Sequence, residues 1–201
     1  MSITHWLALR CKRYSRGIAR RVNRARFKYF ETAGLHSVEI GAGLSFQVPV
    51  RVDGIGSLTI GDRCGFGFRQ TLCFGNGEIL LQPRTEASEI TIGDRVSFSN
   101  NISIIANTSV SIGDRCLIGD GVTIFDSDFH GIHPDQRHQL GNHSPVSISN
   151  NVWLGSRVMV LKGVSIGENS IVAAMSVVTK DIPANVIAAG NPARVINNAP
   201  W

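Results

Sequence analysis

The chain has 201 residues, of which 21 are glycine and 7% are aromatic, and its formal net charge is +5. This length allows one domain with a sizeable core and a short appendage. No run of 18 apolar residues occurs, which excludes a membrane-spanning helix. The first residues lack a basic and apolar signal pattern, so we expect a cytoplasmic protein. The four cysteines have no CxxC spacing, which favours reduced thiols: Cys11, Cys64, Cys73 and Cys116.

Residues 1–34 are predicted to form a basic, helical N-terminal segment. Residues 1–30 contain nine Lys or Arg and no acidic residue. Apolar side chains recur at intervals of three or four, which is typical of one helical stripe: Leu7, Cys11, Tyr14, Ile18, Val22, Ala25 and Tyr29. The stripe fits either an anionic membrane surface or a cap packed on the following domain. No recognisable motif supports nucleic-acid binding.

A six-residue repeat follows and sets the expected fold. Three hexads open with the same four residues, at 60–63, 92–95 and 112–115. The first place is aliphatic or aromatic, glycine is frequent at the second, and the fifth is small or apolar. The fifth-place residues are Cys64, Val96, Ile102, Cys116, Val122, Val152, Val158 and Val164. Cys64 and Cys116 are therefore expected to fill the core.

The six-residue period favours a solenoid with a triangular cross-section. A strand alone has a period of two and a helix a period of 3.6, whereas a short strand plus a turn fits six. Three hexads make a coil of about 18 residues that stacks on the next through parallel ladders. Glycine or asparagine at the turns is expected to supply positive φ. Loops are predicted at about 73–91 and 126–147, with a two-residue bulge near Asn107 and Thr108. An antiparallel sandwich is the disfavoured alternative.

Four further segments carry a family resemblance: 126–130, 152–156, 178–183 and 190–195. With the hexads, they resemble the hexapeptide-repeat acyltransferases, and most closely the maltose and surface-polysaccharide O-acetyltransferases. The resemblance implies an all-β fold, a left-handed parallel β-helix over residues 35–197, with 198–201 as a tail. It also implies acetyl-CoA as donor, a saccharide hydroxyl as acceptor, and a homotrimer with the active site between subunits.

Acyl transfer to a hydroxyl needs a base, and histidine is the natural one near neutral pH. The resemblance implies His130, which directly follows the end of a regular coil; His133, followed by proline, is the alternative. Asp126 or Asp128 is expected to hold the imidazole in one tautomer. Asn101 either binds the acceptor or oxyanion, as the resemblance implies, or is a left-handed turn residue.

The donor site is expected one to two coils later. Trp153 is too large for a narrow prism, so it should project outward beside the pantetheine arm. Gly155 and Ser156 would leave the backbone accessible, and Ala173 and Ala174 form a small-residue patch. The resemblance assigns the phosphate end of CoA to Thr179 and Lys180, to which Arg194 adds a further charge.

Three other functions stay open. An N-acetyltransferase acting on an amino-sugar nucleotide fits the same motifs. A metal hydratase like the γ-type carbonic anhydrases would need histidines at matched hexad places, whereas four of the six lie between 130 and 143. We therefore expect no metal. A non-catalytic scaffold would bind no CoA. No nucleophile elbow occurs, which favours direct transfer over a covalent acyl-enzyme.

Overall fold

The computed structural model describes residues 17–27, 31–68 and 77–200. Residues 17–26 are helical and a short 3-10 helix spans Pro134–Gln136. The described residues also form twenty β strands: β1 (Ser37–Ile40), β2 (Ser45–Phe46), β3 (Val50–Val52), β4 (Ser57–Ile60), β5 (Gly65–Phe66), β6 (Ile79–Pro83), β7 (Glu89–Ile92), β8 (Ser97–Phe98), β9 (Ser103–Ala106), β10 (Ser109–Ile112), β11 (Leu117–Ile118), β12 (Thr123–Phe125), β13 (Val146–Ile148), β14 (Trp153–Leu154), β15 (Met159–Val160), β16 (Ser165–Ile166), β17 (Ile171–Val172), β18 (Val177–Val178), β19 (Val186–Gly190) and β20 (Ala193–Asn198).

Every third strand from β1 to β18 joins the same sheet, so these strands form three parallel sheets around one core. Sheet A contains β1, β4, β7, β10, β13 and β16; sheet B contains β2, β5, β8, β11, β14, β17, β19 and β20; sheet C contains β3, β6, β9, β12, β15 and β18. One strand from each sheet makes a coil, and six coils stack along the axis. The predicted parallel β-helix is confirmed.

The predicted hexad register is confirmed by the core. Ile60 pairs with Ile92, which pairs with Ile112, and the column continues to Ile148 and Ile166. All five side chains are buried. A column of aromatic rings runs beside it, with centroids 5.0–5.2 Å apart: Phe27, Phe46, Phe66 and Phe98. Burial of this apolar column is the main stabilising contribution, because a single coil has no core of its own.

Cys64 and Cys116 are core residues, as predicted. Both thiols are fully buried. Burial disfavours the charged thiolate and raises the pKa of both groups, to about 11 for Cys116. Cys11 and Cys73 lie outside the described residues.

Glycine and asparagine supply positive φ at several turns, as predicted, for example at Gly121 and Asn151, but the glycines at the second place of the hexad do not. Positive φ occurs two residues later in the hexad, where Arg63, Arg95 and Arg115 each have φ of 58°. Glycine is needed at the second place because of a close approach between coils. A Cβ atom on Gly113 would lie 2.4 Å from Asn150 Oδ1 and 2.8 Å from Asn150 N.

Acidic and amide side chains beside these glycines tie successive coils together. Asp94 Oδ1 accepts from Asp62 N, and Asp114 Oδ1 accepts from Asp94 N, both at 2.8 Å. Asn150 Oδ1 continues the series by accepting from Asp114 N at 2.8 Å. Each side chain therefore satisfies a turn amide that the strand ladders leave without a partner.

The predicted loop at 73–91 is wrong over much of its length. Residues 79–83 form β6 and residues 89–92 form β7, so the break in this coil lies between β5 and β6. The second break is close to its prediction, since β12 ends at Phe125 and β13 begins at Val146. The extra two residues near Asn107 and Thr108 are confirmed, because the ladder pairs residue 89 with 109, whereas residue 147 pairs with 165.

The two ends of the β-helix differ. At the first coil, Phe27 is buried against Phe46, but Ile18 and Val22 on the helix are 51% and 55% exposed. The described part of the predicted stripe therefore faces away from the first coil, which contradicts its interpretation as a cap; Leu7, Cys11, Tyr14 and Tyr29 lie outside the described residues. At the other end, β20 pairs antiparallel with β19 and ends at Asn198, just inside the predicted tail.

Candidate active site

The longer break in the repeat carries His130. This segment, residues 126–145, leaves sheet C after β12 and returns to sheet A at β13. The His130 side chain is exposed, and its Nδ1 lies 2.8 Å from the carbonyl oxygen of Arg137. Because a carbonyl can only accept, Nδ1 carries the proton of this hydrogen bond and Nε2 of the neutral ring keeps its lone pair. The arrangement leaves Nε2 available as a base on an exposed side chain.

The predicted pairing of Asp126 with the imidazole is wrong. The Asp126 carboxylate is fully buried and accepts three hydrogen bonds, from Asn107 N at 2.8 Å, Thr108 N at 2.6 Å and Thr108 Oγ1 at 2.7 Å. These donors are the two extra residues of the preceding coil, Asn107 and Thr108. Asp126 therefore holds the start of the loop against the β-helix, and the Arg137 carbonyl takes the role expected of a carboxylate.

Asp128 acts on His130 through the backbone and not through its carboxylate, which corrects the second predicted pairing. Its carbonyl accepts from His130 N at 2.7 Å, and its own N donates to Asn142 O at 2.9 Å. Its carboxylate Oδ2 lies 3.1 Å from Lys162 Nζ, with both side chains about one-quarter exposed. Lys162 follows β15 on the adjacent coil. Nothing in its own hexad identifies this partner, so sequence reasoning missed it.

Two other histidines of the loop, His133 and His143, have local contacts. His133 precedes the 3-10 helix, and its Nδ1 accepts from Asp135 N at 3.3 Å, so the alternative base is engaged as a cap. Nδ1 of His143 lies 3.4 Å from the Ser127 hydroxyl. Within the described residues, no group of three or more His, Cys, Asp or Glu side chains could hold a metal ion.

Asn101 has the conformation expected of a turn residue. Its φ is 58°, in the left-handed region that asparagine tolerates. Its side-chain Nδ2 donates to Asp120 Oδ1 at 3.0 Å, and Asp120 is buried. This geometry supports the structural alternative, in which Asn101 shapes the corner before β9.

Trp153 projects outward from sheet B, as predicted. It is 50% exposed on β14 and pairs with Leu117, also 50% exposed, on the preceding coil. Both side chains line a groove of about 670 Å³ along the outer face of the sheet. Arg63, Gln47, Ser45 and Ser97 also line this groove, which we call the sheet B groove.

Gly155 does not leave the backbone open to a ligand, so that prediction is wrong. The glycine is buried, and a Cβ atom there would lie 2.6 Å from Ala174 N and 3.0 Å from Ala173 C. Ser156 is half-buried, and its carbonyl accepts from Met175 N at 2.9 Å. These small residues thus let adjacent coils approach each other.

Comparisons with known proteins bear on this repeat directly. Residues 145–180 match the family model described as bacterial transferase hexapeptide (six repeats), and residues 89–126 match the hexapeptide repeat of succinyl-transferase. The six-residue period of the sequence is thus the kind of hexapeptide repeat that these family models describe. Together the two matched ranges cover the coils on either side of the His130 loop.

Among curated relatives, the hexapeptide-repeat protein is 46% identical over 110 residues to galactoside O-acetyltransferase of Escherichia coli (strain K12), covering 54% of each chain. It is 40% identical over 107 residues to the enzyme of the same name from Lactococcus lactis, covering 53% of this chain and 51% of that one. The chain thus spans about half the length of these relatives.

Solved structures extend the likeness over most of the chain. The polySia-specific acetyltransferase is 26% identical with a TM-score of 0.63, covering 84% of this chain and 85% of that one. Galactoside acetyltransferase in complex with coenzyme A is 28% identical with a TM-score of 0.57, covering 89% and 78%. The hexapeptide-repeat protein shares their left-handed parallel β-helix, as expected from the sequence.

The fold of this hexapeptide-repeat protein separates the predicted residues into two groups. The His130 loop, Lys162 and Lys180 all follow strands of sheet C, so they share the corner between sheets C and A. Thr179 and Lys180 are exposed there. Trp153 and Arg194 belong to sheet B, the face opposite that corner, where Arg194 Nη1 donates to Ala193 O at 2.8 Å. One chain therefore does not bring His130 and Trp153 together.

Proposed function

We propose that this protein transfers an acetyl group from acetyl-CoA to a hydroxyl of a saccharide, with His130 as the general base. The observation that carries the proposal is the hydrogen bond from His130 Nδ1 to the Arg137 carbonyl, which leaves Nε2 free to accept a proton. The names of the similar proteins, galactoside O-acetyltransferase and a galactoside acetyltransferase bound to coenzyme A, support the donor and the class of acceptor.

In this mechanism His130 Nε2 removes the proton of the acceptor hydroxyl as the oxygen attacks the thioester carbonyl. The carbon–sulfur bond then breaks, and the imidazolium returns its proton to the departing CoA sulfur. The buried Cys64 and Cys116, with raised thiol pKa, are unsuited to carry an acyl group. Direct transfer in a ternary complex follows.

The separation of His130 from Trp153 supports a homotrimer with the site between copies. The C/A corner of one subunit would face sheet B of the next, a closed arrangement that cyclic symmetry permits. Thr179 and Lys180 then flank the base, and Lys180 suits the phosphates of CoA as a mobile charge. Trp153 of the neighbouring copy would cover the pantetheine arm.

The direct test is thiol release from acetyl-CoA in the presence of neutral and acidic saccharides, with the product identified by mass. We expect acceptor-dependent release and an added acetyl group that mild base removes, as an ester would allow. An alkali-stable product would indicate N-acetylation. No acceptor-dependent release across the panel would contradict the proposed activity.

The exposed helical stripe supports contact with the cytoplasmic face of a membrane, where a lipid-linked saccharide for surface-polysaccharide synthesis would be found. Ile18 and Val22 face away from the first coil, and Arg20, Arg21 and Arg24 are exposed around them. Replacing both apolar residues with serine should at least halve sedimentation with vesicles containing anionic lipid. Equal sedimentation of the variant, or equal binding to neutral vesicles, would contradict this contact.

Lys162 is expected to position the His130 loop. Lys162→Met removes the charge that faces Asp128 Oδ2 at 3.1 Å, and it leaves a half-buried carboxylate unpaired. We expect a roughly tenfold loss of kcat with little change in the KM for acetyl-CoA. Lys162→Arg should restore most of the rate. A double-mutant cycle with Asp128→Asn checks the pairing, since independent effects would show that the ion pair does not position the loop.

A further inference from the structure

Four corner positions carry arginine in a backbone conformation that arginine does not favour, and three of them lie at the same corner of successive coils. Arg63, Arg95 and Arg115 each have φ of 58°. The same turn place in the next three coils is asparagine, at Asn151, Asn169 and Asn185, with φ of 55–60°. Asparagine tolerates the left-handed region, whereas other residues lose roughly 1–2 kcal/mol there. The arginine side chains are therefore retained against a local conformational penalty.

These three arginines form one continuous column, which we call the arginine ladder. Arg95 N donates to Asp62 O at 2.7 Å and Arg115 N to Asp94 O at 2.8 Å, so the three turns stack in successive coils. Adjacent strands are about 4.8 Å apart, and the ladder spans about 10 Å. The ladder is therefore about as long as a few sugar units of an extended polysaccharide.

The charges of the ladder are available to a ligand. All three side chains are exposed, and among the described residues no ion pair joins them to an acidic group. The neighbouring carboxylates of Asp62 and Asp94 each use Oδ1 to accept a backbone amide of the preceding coil. Adjacent steps of the ladder are about 4.8 Å apart, within one Debye length of about 8 Å, so neighbouring charges repel each other and a bound anion relieves that repulsion.

One end of the ladder, at Arg63, borders the sheet B groove. Arg63 lines the groove together with Ser45, Gln47, Ser97 and the exposed ring of Trp153. Hydroxyl and amide groups suit the hydroxyls of a sugar. A guanidinium binds a carboxylate through two parallel hydrogen bonds.

We propose that the arginine ladder and the sheet B groove bind an extended acidic saccharide, so that the acceptor of this enzyme carries repeated carboxylates. The identification of the bound saccharide as the acceptor rests on the proposed function, whereas binding at the ladder does not require catalysis. The acidic polymer lies along the axis with one carboxylate near each step of the ladder.

The test is calorimetric binding of oligosialic acid, oligogalacturonate and neutral maltotetraose to the full chain without acetyl-CoA. The variant carries Arg63→Asn, Arg95→Asn and Arg115→Asn together, which preserves the left-handed turns. We expect the wild type to bind at least one acidic oligomer more tightly than maltotetraose, and the variant to bind that oligomer at least tenfold more weakly. Equal binding by the variant, or no preference for acidic oligomers, would overturn the proposal.

Arg157→Asn is the matched control, because Arg157 also has φ of 58° but lies between β14 and β15, at a different corner. It should bind the acidic oligomer like the wild type; an equal loss would point to overall charge and overturn the assignment. The mass of the assembly is measured for every variant. Dissociation of the ladder variant into smaller species would show a subunit contact instead of a ligand site. If the protein binds the acidic oligomer but releases no thiol from acetyl-CoA, the proposed activity is contradicted and the ladder binding site is still supported.

Discussion

Replacing His130 with alanine is expected to lower kcat for acceptor-dependent thiol release by about 10²–10⁴-fold. The variant loses the imidazole whose Nδ1 is held by the Arg137 carbonyl, which leaves Nε2 as the ring atom that can accept a proton. Binding of acetyl-CoA should change little, because Lys180 and Trp153 are untouched. The measurement is steady-state kinetics with a saccharide acceptor, beside a binding isotherm for CoA.

His133→Ala is the matched control for this experiment. His133 lies in the same loop and caps the 3-10 helix through Asp135 N, so its loss should reduce the rate only a few-fold. The reverse pattern, in which His133→Ala abolishes turnover and His130→Ala does not, would assign the base to His133. Wild-type rates in both variants would exclude either histidine as the base.

Replacing Gly113 with alanine is expected to destabilise the β-helix by about 2–3 kcal/mol. The added Cβ would lie 2.4 Å from Asn150 Oδ1, an atom that accepts the Asp114 amide, and 2.8 Å from the backbone of Ser149. The coils would have to separate locally, which breaks the series of side chains that ties the corner together. For a chain of this size, the midpoint of thermal unfolding should fall by about 5–10 °C.

Gly65→Ala provides the comparison, because Gly65 belongs to the same repeat but faces outward on β5. The nearest atom to an added Cβ is Ser45 Oγ at 3.5 Å, an ordinary contact. We expect its unfolding midpoint to stay within 2 °C or so of the wild type. Equal losses in the two variants would show that glycine is required for backbone freedom throughout, and not for the close approach of coils.

The hexad pattern predicts the fold because every coil repeats the same physical requirement for a buried corner residue. Ile60, Ile92 and Ile112 mark that requirement directly in the sequence. The strands at 79–83 and 89–92 were not fully predicted, because the break after β5 interrupts the hexad pattern before β6. Ile79 and Leu81 alternate with partly exposed residues, a period of two that a search for period six passes over.

The candidate site was only partly predictable, for a different reason. His130 stands out because a titratable side chain follows a regular coil, but its hydrogen-bond partner is a backbone carbonyl, which has no residue signature. Asp126 was expected beside the imidazole, yet amides from the preceding coil bind it more completely. Lys162 is 34 residues from Asp128 in the chain, and only the stacking of coils brings the two within 3.1 Å.

Because every regular coil has 18 residues and contributes one strand to each sheet, each added coil extends all three faces of the β-helix by the same step. Insertion of one whole coil between the ladder and the loop would lengthen the distance between them by about 4.8 Å without rotating either. Insertion of a single hexad would instead turn everything that follows by one face, so that Trp153 would leave the side that carries Arg63. Gene changes in units of 54 nucleotides can therefore alter the distance between the arginine ladder and the His130 loop, whereas units of 18 nucleotides move the following residues to another face.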